Sequence, residues 1–124
     1  MTKGLPADLE NAEKWEVQLR KGSLELAVLA SLWEGRLYGL EVLRRLENDS
    51  DLIVAEGTVY PLLSRLKGLG LIESEWVESD SGHPRKYYWL TSPGRQRALE
   101  MARIWRRFSA SLSDLLAPLG KEKK

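Results

Sequence analysis

The 124-residue sequence contains no cysteine and only one histidine, His83. The lack of cysteine excludes disulfides, thiolate metal sites and cysteine nucleophiles. A single histidine excludes a two-histidine metal site or a histidine-based dyad within one chain. Its place between Gly82 and Pro84 at a loop tip favours a solvated imidazole, with a phosphate contact as the alternative. Neighbouring carboxylates such as Asp49 and Asp51 have no partner group for acid–base chemistry. We therefore predict neither an enzyme nor a bound metal or cofactor.

Long apolar runs are absent as well. No window approaches 18 uncharged apolar residues, and residues 1–22 carry charges throughout, so neither a membrane span nor a signal peptide is expected. Hydrophobic residues make up 43% of the chain and charged residues 30%, which is typical of a chain that folds and not of a disordered one. From this length and composition we predict one folded domain in the cytoplasm, without a membrane partner.

The net charge of +1 is distributed unevenly along the chain. Residues 92–124 hold eight basic and three acidic side chains, whereas residues 23–91 hold seven basic and eleven acidic ones. The acidic middle argues against a nucleic-acid partner, because like charges repel. It is compatible with such a partner if the cations Arg65, Lys67, Arg85 and Lys86 share one face and the acidic side chains lie elsewhere.

Hydrophobic periodicity predicts four helices in the first part of the chain, over residues 8–20, 23–34, 40–47 and 56–67. The second is the most apolar and is therefore expected at the centre of the core, with Gly22-Ser23 as its N-terminal cap and Gly35 at its end. In the fourth helix Pro61 lacks a backbone N–H. Either Thr58 caps this helix and Pro61 lies in its first turn, or an earlier first turn is kinked.

A β-hairpin and a long helix are predicted for the remainder. Residues 71–78 and 86–91 are rich in β-branched and aromatic side chains, and Asp80, Gly82 and Pro84 lie in the polar stretch between them. The last helix is expected to start with Ser92 as its cap and Pro93 at its first helical position.

The second, third and fourth predicted helices, followed by a hairpin, have the element order of a winged helix-turn-helix. In that fold the helix before the hairpin enters the DNA major groove, and the hairpin, or wing, contacts the backbone or minor groove. The predicted fold is mainly α with a small β-hairpin, a winged helix-turn-helix plus a long C-terminal helix. We expect an N-terminal extension over 1–22, a DNA-binding domain over 23–91, a dimerisation helix over 92–119 and a tail over 120–124.

Apolar residues of the last helix follow an unbroken heptad pattern through Ala98, Met101, Trp105, Phe108, Leu112, Leu115 and Leu119. So much apolar surface either folds back onto its own domain or packs against another chain. A helix of about 25 residues spans roughly 38 Å, which exceeds the core of a small domain and favours a homodimer.

Particular residues carry a family resemblance. The runs Glu56-Gly-Thr-Val-Tyr-Pro-Leu-Leu-Ser-Arg-Leu-Lys and Gly82-His-Pro-Arg-Lys-Tyr-Tyr-Trp-Leu-Thr, followed by Gly94-Arg, closely resemble the signature of PadR-type bacterial transcriptional regulators. Lys21-Gly-Ser-Leu-Glu-Leu-Ala-Val-Leu and Tyr38-Gly39 match as well, so the resemblance covers about residues 20–100. The single C-terminal helix is similar to that of the compact subfamily. Two departures are Ala55, where members often place a serine, and Leu40, where an aromatic residue is common.

The resemblance implies a homodimeric regulator, usually a repressor, that binds an inverted repeat in double-stranded DNA and releases it when a small aromatic or cationic compound, or another signal, acts. The resemblance implies DNA contacts by Thr58, Tyr60, Pro61, Ser64, Arg65, Arg85 and Lys86. The polar face of the same helix adds Lys67 to these candidates. The resemblance assigns dimerisation to the last helix, where Trp105 is a candidate for an effector pocket or, alternatively, a buried interface tryptophan without a ligand. The acidic middle of the chain favours a competing hypothesis, a winged-helix protein-interaction module without DNA binding.

Overall fold

The computed structural model describes the backbone of residues 4–49 and 56–120 and the side chains of residues 12–48 and 56–120. Ala55 and the tail residues 121–124, both named above, lie outside this part of the chain. The elements in order are α1 (Gly4–Ser31), β1 (Leu37–Tyr38), α2 (Gly39–Asp49), α3 (Glu56–Gly68), β2 (Ile72–Val77), β3 (Arg85–Leu90) and α4 (Ser92–Gly120). The mainly helical fold with a small sheet is therefore confirmed.

Helix α1 is a single continuous helix of 28 residues. The prediction that Gly22-Ser23 caps a separate helix is wrong, because the Ser23 hydroxyl donates to the Leu19 carbonyl oxygen at 3.0 Å inside the helix. A glycine in a helix interior costs about 1 kcal/mol relative to alanine. Uninterrupted backbone hydrogen bonds on both sides of Gly22 outweigh that cost.

The sheet has three antiparallel strands in the order β1-β3-β2. The predicted hairpin is confirmed, with Ile72 opposite Leu90 and Val77 opposite Arg85. Strand β1 was not predicted, because two residues are too few for a periodic pattern. It pairs with β3 through Leu37 opposite Tyr88 and so joins the segment before α2 to the wing.

The core lies between α1, α2, α3 and the inner face of the sheet. Its side chains are almost all aliphatic, and eight of them are less than 2% exposed: Val28, Leu29, Leu32, Val42, Val59, Leu63, Leu66 and Ile72. The predicted apolar helix faces therefore meet in one core. Helix α4 joins this core only at its start, where Ala98 is buried and Met101 packs against the same cluster.

The junction between β3 and α4 is tightly built. The Thr91 hydroxyl donates to the Gly70 carbonyl oxygen at 2.7 Å and accepts the Gly94 N–H at 3.0 Å. Thr91 is therefore the N-cap of α4, and the prediction that Ser92 is the cap with Pro93 at the first helical position is wrong by one residue. A threonine hydroxyl forms the same capping bond as a serine hydroxyl, and here the bond to Gly70 selects Thr91.

Candidate nucleic-acid interface

Helix α3 has one fully buried side and one open side. Val59, Leu63 and Leu66 have no solvent exposure, so at 100° per residue the outward direction runs through Gly57, Pro61, Ser64 and Gly68, all of them exposed. The helix begins at Glu56, so Thr58 lies in its first turn and Pro61 lies within the helix. The open side therefore presents small side chains, over which a partner can approach the helix closely.

Tyr60 lies at one edge of this open side and is held in place by α2. A Cβ atom added to Gly39 would lie 2.7 Å from the Tyr60 hydroxyl oxygen, so only glycine leaves room for the ring. Burial, and secondly the Glu56 carboxylate, raise the pKa of Tyr60. The hydroxyl therefore keeps its proton and can donate a hydrogen bond to a phosphate or a base edge.

Thr58 and Arg65 lie at the opposite edge of α3, which faces α1. The Arg65 guanidinium contacts Glu25 of α1 with Nη2 3.4 Å from Oε1. The other carboxylate oxygen of Glu25 accepts a hydrogen bond from Arg97 of α4 at 3.0 Å. Glu25 thus connects α3 to α4, a role that periodicity did not reveal because it depends on three helices meeting.

Lys86 on the wing faces the helices. Its ammonium lies 5.7 Å from the ring centroid of Trp76 and 6.0 Å from that of Tyr88, on the sheet face that packs against the core. Tyr88 is buried, and that burial, followed by the neighbouring Tyr60, raises its pKa. Lys86 therefore lies on the same side of the wing as α3.

Arg85 lies on the outer face of the wing, away from the helices, because side chains alternate along a strand. Its guanidinium carbon is 4.5 Å from the Tyr38 ring centroid. Arg36 joins this outer cluster, 4.5 Å from the Trp89 ring centroid and 3.5 Å from the Glu75 carboxylate. Local sequence patterns did not place Arg36 or Tyr38 in the wing, because their placement depends on β1.

The four predicted cations consequently do not share one face. Arg85 and Lys86 lie on opposite faces of the sheet, and Arg65 and Lys67 are about 200° apart around α3. The condition of a single shared face is not met, because alternation along a strand and rotation along a helix separate residues one or two positions apart. Cations are instead distributed on both edges of α3.

The wing tip is a closed turn. The Gly82 N–H donates to the Ser79 carbonyl oxygen at 3.0 Å, and the Ser79 hydroxyl donates to the His83 carbonyl oxygen at 2.5 Å. Gly82 has a φ of +88°, which suits glycine. His83 is exposed at this tip, as predicted.

Beyond Met101, the heptad pattern of α4 is uncovered in the single chain. Trp105, Phe108, Leu112 and Leu115 are exposed by 44%, 58%, 39% and 76%. On α1, Trp15 and Leu19 are 62% and 43% exposed. Two open cavities of about 410 and 400 Å³ lie between α1 and α4, and Leu19 and Trp105 line both of them.

Metal and membrane sites find no support in the described ranges. Side chains within residues 12–48 and 56–120 form no group of three or more metal-ligating residues. Every helix within residues 4–49 and 56–120 is too short or too polar to cross a bilayer.

The helices α1 to α3, followed by a hairpin whose inner cation lies on the side of α3, form a winged helix-turn-helix, a class of DNA-binding domain. The sequence model of the transcriptional regulator PadR-like family matches residues 28–100. The chain belongs to this family, as its residues predicted. Members of the family are transcription factors that bind DNA, and they are not enzymes.

Solved structures of the same family are similar over most of the chain. A PadR family transcriptional regulator from Eggerthella lenta is 31% identical, with a TM-score of 0.79 over 95% of this chain and 98% of that one. A PadR-like transcriptional regulator from Bacillus cereus is 34% identical, with a TM-score of 0.73 over 80% of this chain and 96% of that one.

An uncharacterized protein of Lysinibacillus sphaericus is 29% identical over 87 residues, which are 68% of this chain and 80% of that protein.

Proposed function

We propose that the protein is a homodimeric, sequence-specific repressor that binds an inverted-repeat operator in the cytoplasm, where the bacterial chromosome lies, and that a small aromatic or cationic compound or another signal releases it. The observation that carries this proposal is the combination of an open α3 beside the wing with an uncovered apolar stripe on α4. The first feature suits a DNA groove, and the second suits an identical partner.

Helix α3 supplies the major-groove contacts in this proposal. Pro61 and Ser64 face outward and approach the base edges, and Tyr60 and Lys67 lie toward one edge of the open side. Thr58 and Arg65 lie at the other edge. Because major-groove edges of all four base pairs differ, the outward side chains can distinguish sequences.

Dimerisation is supported by the apolar surface of the two long helices. Leu115 and Trp15 are mostly exposed within the described chain, and Leu112 is partly exposed. An isologous dimer would cover both helices and would place two α3 helices for half-sites one helical turn, about 34 Å, apart.

A labelled duplex from upstream of the protein's own gene tests this function. Fluorescence anisotropy should show binding that is tight on the native duplex, about 1000-fold weaker on a scrambled one and weaker again as salt rises. Footprints should show two half-sites one turn apart. Equal binding to both duplexes would contradict sequence-specific regulation. No binding to either at low salt, with a stoichiometric protein partner instead, would favour the interaction-module hypothesis.

An effector site is proposed beside Trp105, where cavities of about 410 and 400 Å³ open between α1 and α4. Trp105 and Phe108 have ring centroids 6.4 Å apart, so a flat aromatic compound would meet two rings. Aromatic cations titrated into the DNA complex should lower its anisotropy. Release that persists unchanged in Trp105→Phe would remove Trp105 from the site.

The wing cations should differ in their contribution to DNA binding. Lys86→Ala is expected to weaken binding about tenfold because Lys86 lies on the side of α3, where the duplex must pass. Arg85→Ala is its matched control on the opposite face and should weaken binding less than about threefold. Arg85 faces away from α3, and an exposed charge there contributes little to binding. Anisotropy at one salt concentration measures both, and a larger loss in Arg85→Ala would show that the outer face meets the DNA.

A further inference from the structure

We propose that Lys21, Thr58 and Arg65 together bind a backbone phosphate of DNA at the edge of α3 that faces α1. The inference rests on the proposed DNA-binding function and extends its contact surface to α1. It also assigns Arg65 to the DNA backbone and not to a base.

The three side chains line one cavity of about 250 Å³ between α1 and α3. Gly22, beside Lys21, also lines this cavity, and a Cβ atom added there would have no atom within 4 Å, so the space around it is open. Lys21 is exposed, and Arg65 is 57% exposed, so both cations can reach a ligand that arrives from solvent. The Glu25 carboxylate and the apolar side chains of Leu24, Leu62 and Met101 complete its lining. Two cations and one hydroxyl therefore reach one cavity from two different helices.

The charge of this cluster favours an anion. Glu25 is only 20% exposed and is engaged by two arginines, Arg65 at 3.4 Å and Arg97 at 3.0 Å. With Lys21, three cations stand against one carboxylate, for a net charge of +2. The contact with Glu25 fixes the Arg65 guanidinium at this edge, and a guanidinium has five N–H donors, so donors remain for a phosphate.

Thr58 adds a neutral donor. Within the described ranges its hydroxyl has no hydrogen-bond partner. The nearest acidic side chain on α3, Glu56, acts on Tyr60 at the opposite edge, where its carboxylate raises the pKa of that tyrosine. The edge that faces α1 is thus the more positive of the two edges at the start of α3.

A phosphate is expected at this edge because a helix in the major groove has a sugar-phosphate strand on either side. The wing with Lys86 serves the strand on one side. The cluster of Lys21, Thr58 and Arg65 lies across α3 from Tyr60, so it faces the other strand. Two backbone contacts of this kind fix the rotation of α3 in the groove, while Pro61 and Ser64 approach the bases.

The test is the salt dependence of DNA binding by Lys21→Ala, measured by anisotropy on the native and the scrambled duplex between about 50 and 200 mM salt. A phosphate contact carries no sequence information, so both duplexes should lose affinity by the same factor, about tenfold in a dimer that loses two contacts. The slope of log K against log salt should become shallower by about 1.8. Lys21 is exposed, and an unchanged thermal melt would exclude misfolding.

Arg103→Ala is the matched control. It removes one positive charge from α4 at a position about 200° around the helix from Met101, which faces the cavity, and its slope should stay at the wild-type value. An unchanged slope in Lys21→Ala, while the wild-type protein binds the native duplex tightly, would overturn the phosphate site and leave the proposed function standing. Affinity lost on the native duplex alone would also overturn it. Failure of the wild-type protein to bind either duplex at low salt would overturn both.

Discussion

Replacing Leu115 with aspartate is expected to convert the protein from a dimer to a monomer and to weaken operator binding by about 100-fold or more, because the two half-sites are then bound independently. Leu115 is 76% exposed in the single chain, so the substitution removes no core contact. In a dimer the new carboxylate would be buried among Phe108, Leu112 and their counterparts. An unpaired buried charge costs several kcal/mol, enough to separate the chains.

Light scattering after gel filtration measures the mass, and anisotropy on the native duplex measures the binding. Ala110→Asp is the matched control, because it adds the same charge to the same helix about 140° away from Leu115. This control should remain a dimer with nearly unchanged affinity. A Leu115→Asp variant that stays dimeric, or one that is monomeric with full affinity, would contradict the proposed role of the α4 stripe.

Gly94→Ala should have the largest effect on stability, a loss of about 3 kcal/mol or more. A Cβ atom at this position would overlap the Leu71 carbonyl oxygen and lie 2.9 Å from its carbonyl carbon. Both partners are backbone, so neither can move aside as a side chain would. Shifting α4 to relieve the overlap would also break the capping bond from the Gly94 N–H to Thr91.

Gly22→Ala is the control with the opposite sign. The same methyl group at Gly22 meets no atom within 4 Å and lies in the interior of α1, where alanine favours the helix by about 1 kcal/mol. Chemical denaturation at one fixed protein concentration compares the two variants, because the stability of a dimer depends on concentration. A Gly94→Ala variant as stable as the wild type would show that the β3–α4 junction can relax.

Much of this fold could be predicted from local patterns. Val59, Leu63 and Leu66 recur at helical spacing and are all buried, and the aromatic run of β3 pairs with β2 as a hairpin. These elements satisfy propensity, periodicity and turn chemistry at once. Where several local signals agree, tertiary structure has little to override.

The predictions of helix caps and strands are wrong where tertiary contacts decide between local alternatives. Ser23 has the chemistry of a cap, yet its hydroxyl bonds within α1, and Thr91 caps α4 because Gly70 lies close enough to accept its proton. Strand β1 exists only because β3 is there to pair with Leu37 and Tyr38. Nothing local in the sequence encodes these distances.

The candidate site was predictable by position but not by direction. The sequence placed Arg65, Arg85 and Lys86 on the correct elements. It could not show that Arg65 turns toward Glu25, 40 residues earlier in the chain, or that the two wing cations point to opposite faces. Side-chain direction follows from register and from neighbours on other helices, so charges close in sequence serve different surfaces.

The continuity of α1 has a mechanical consequence. Among the described side chains of α1, those of residues 12–31, burial in the core starts at Leu24. The preceding part of the helix, Gly4 to Ser23, is a stiff extension of about 30 Å. A tilt of about 5° where this extension meets the core displaces its far end by about 2.6 Å. At that point Glu25 contacts Arg65 of α3 and Arg97 of α4. We therefore expect a tilt of α1 to change the orientation of α3.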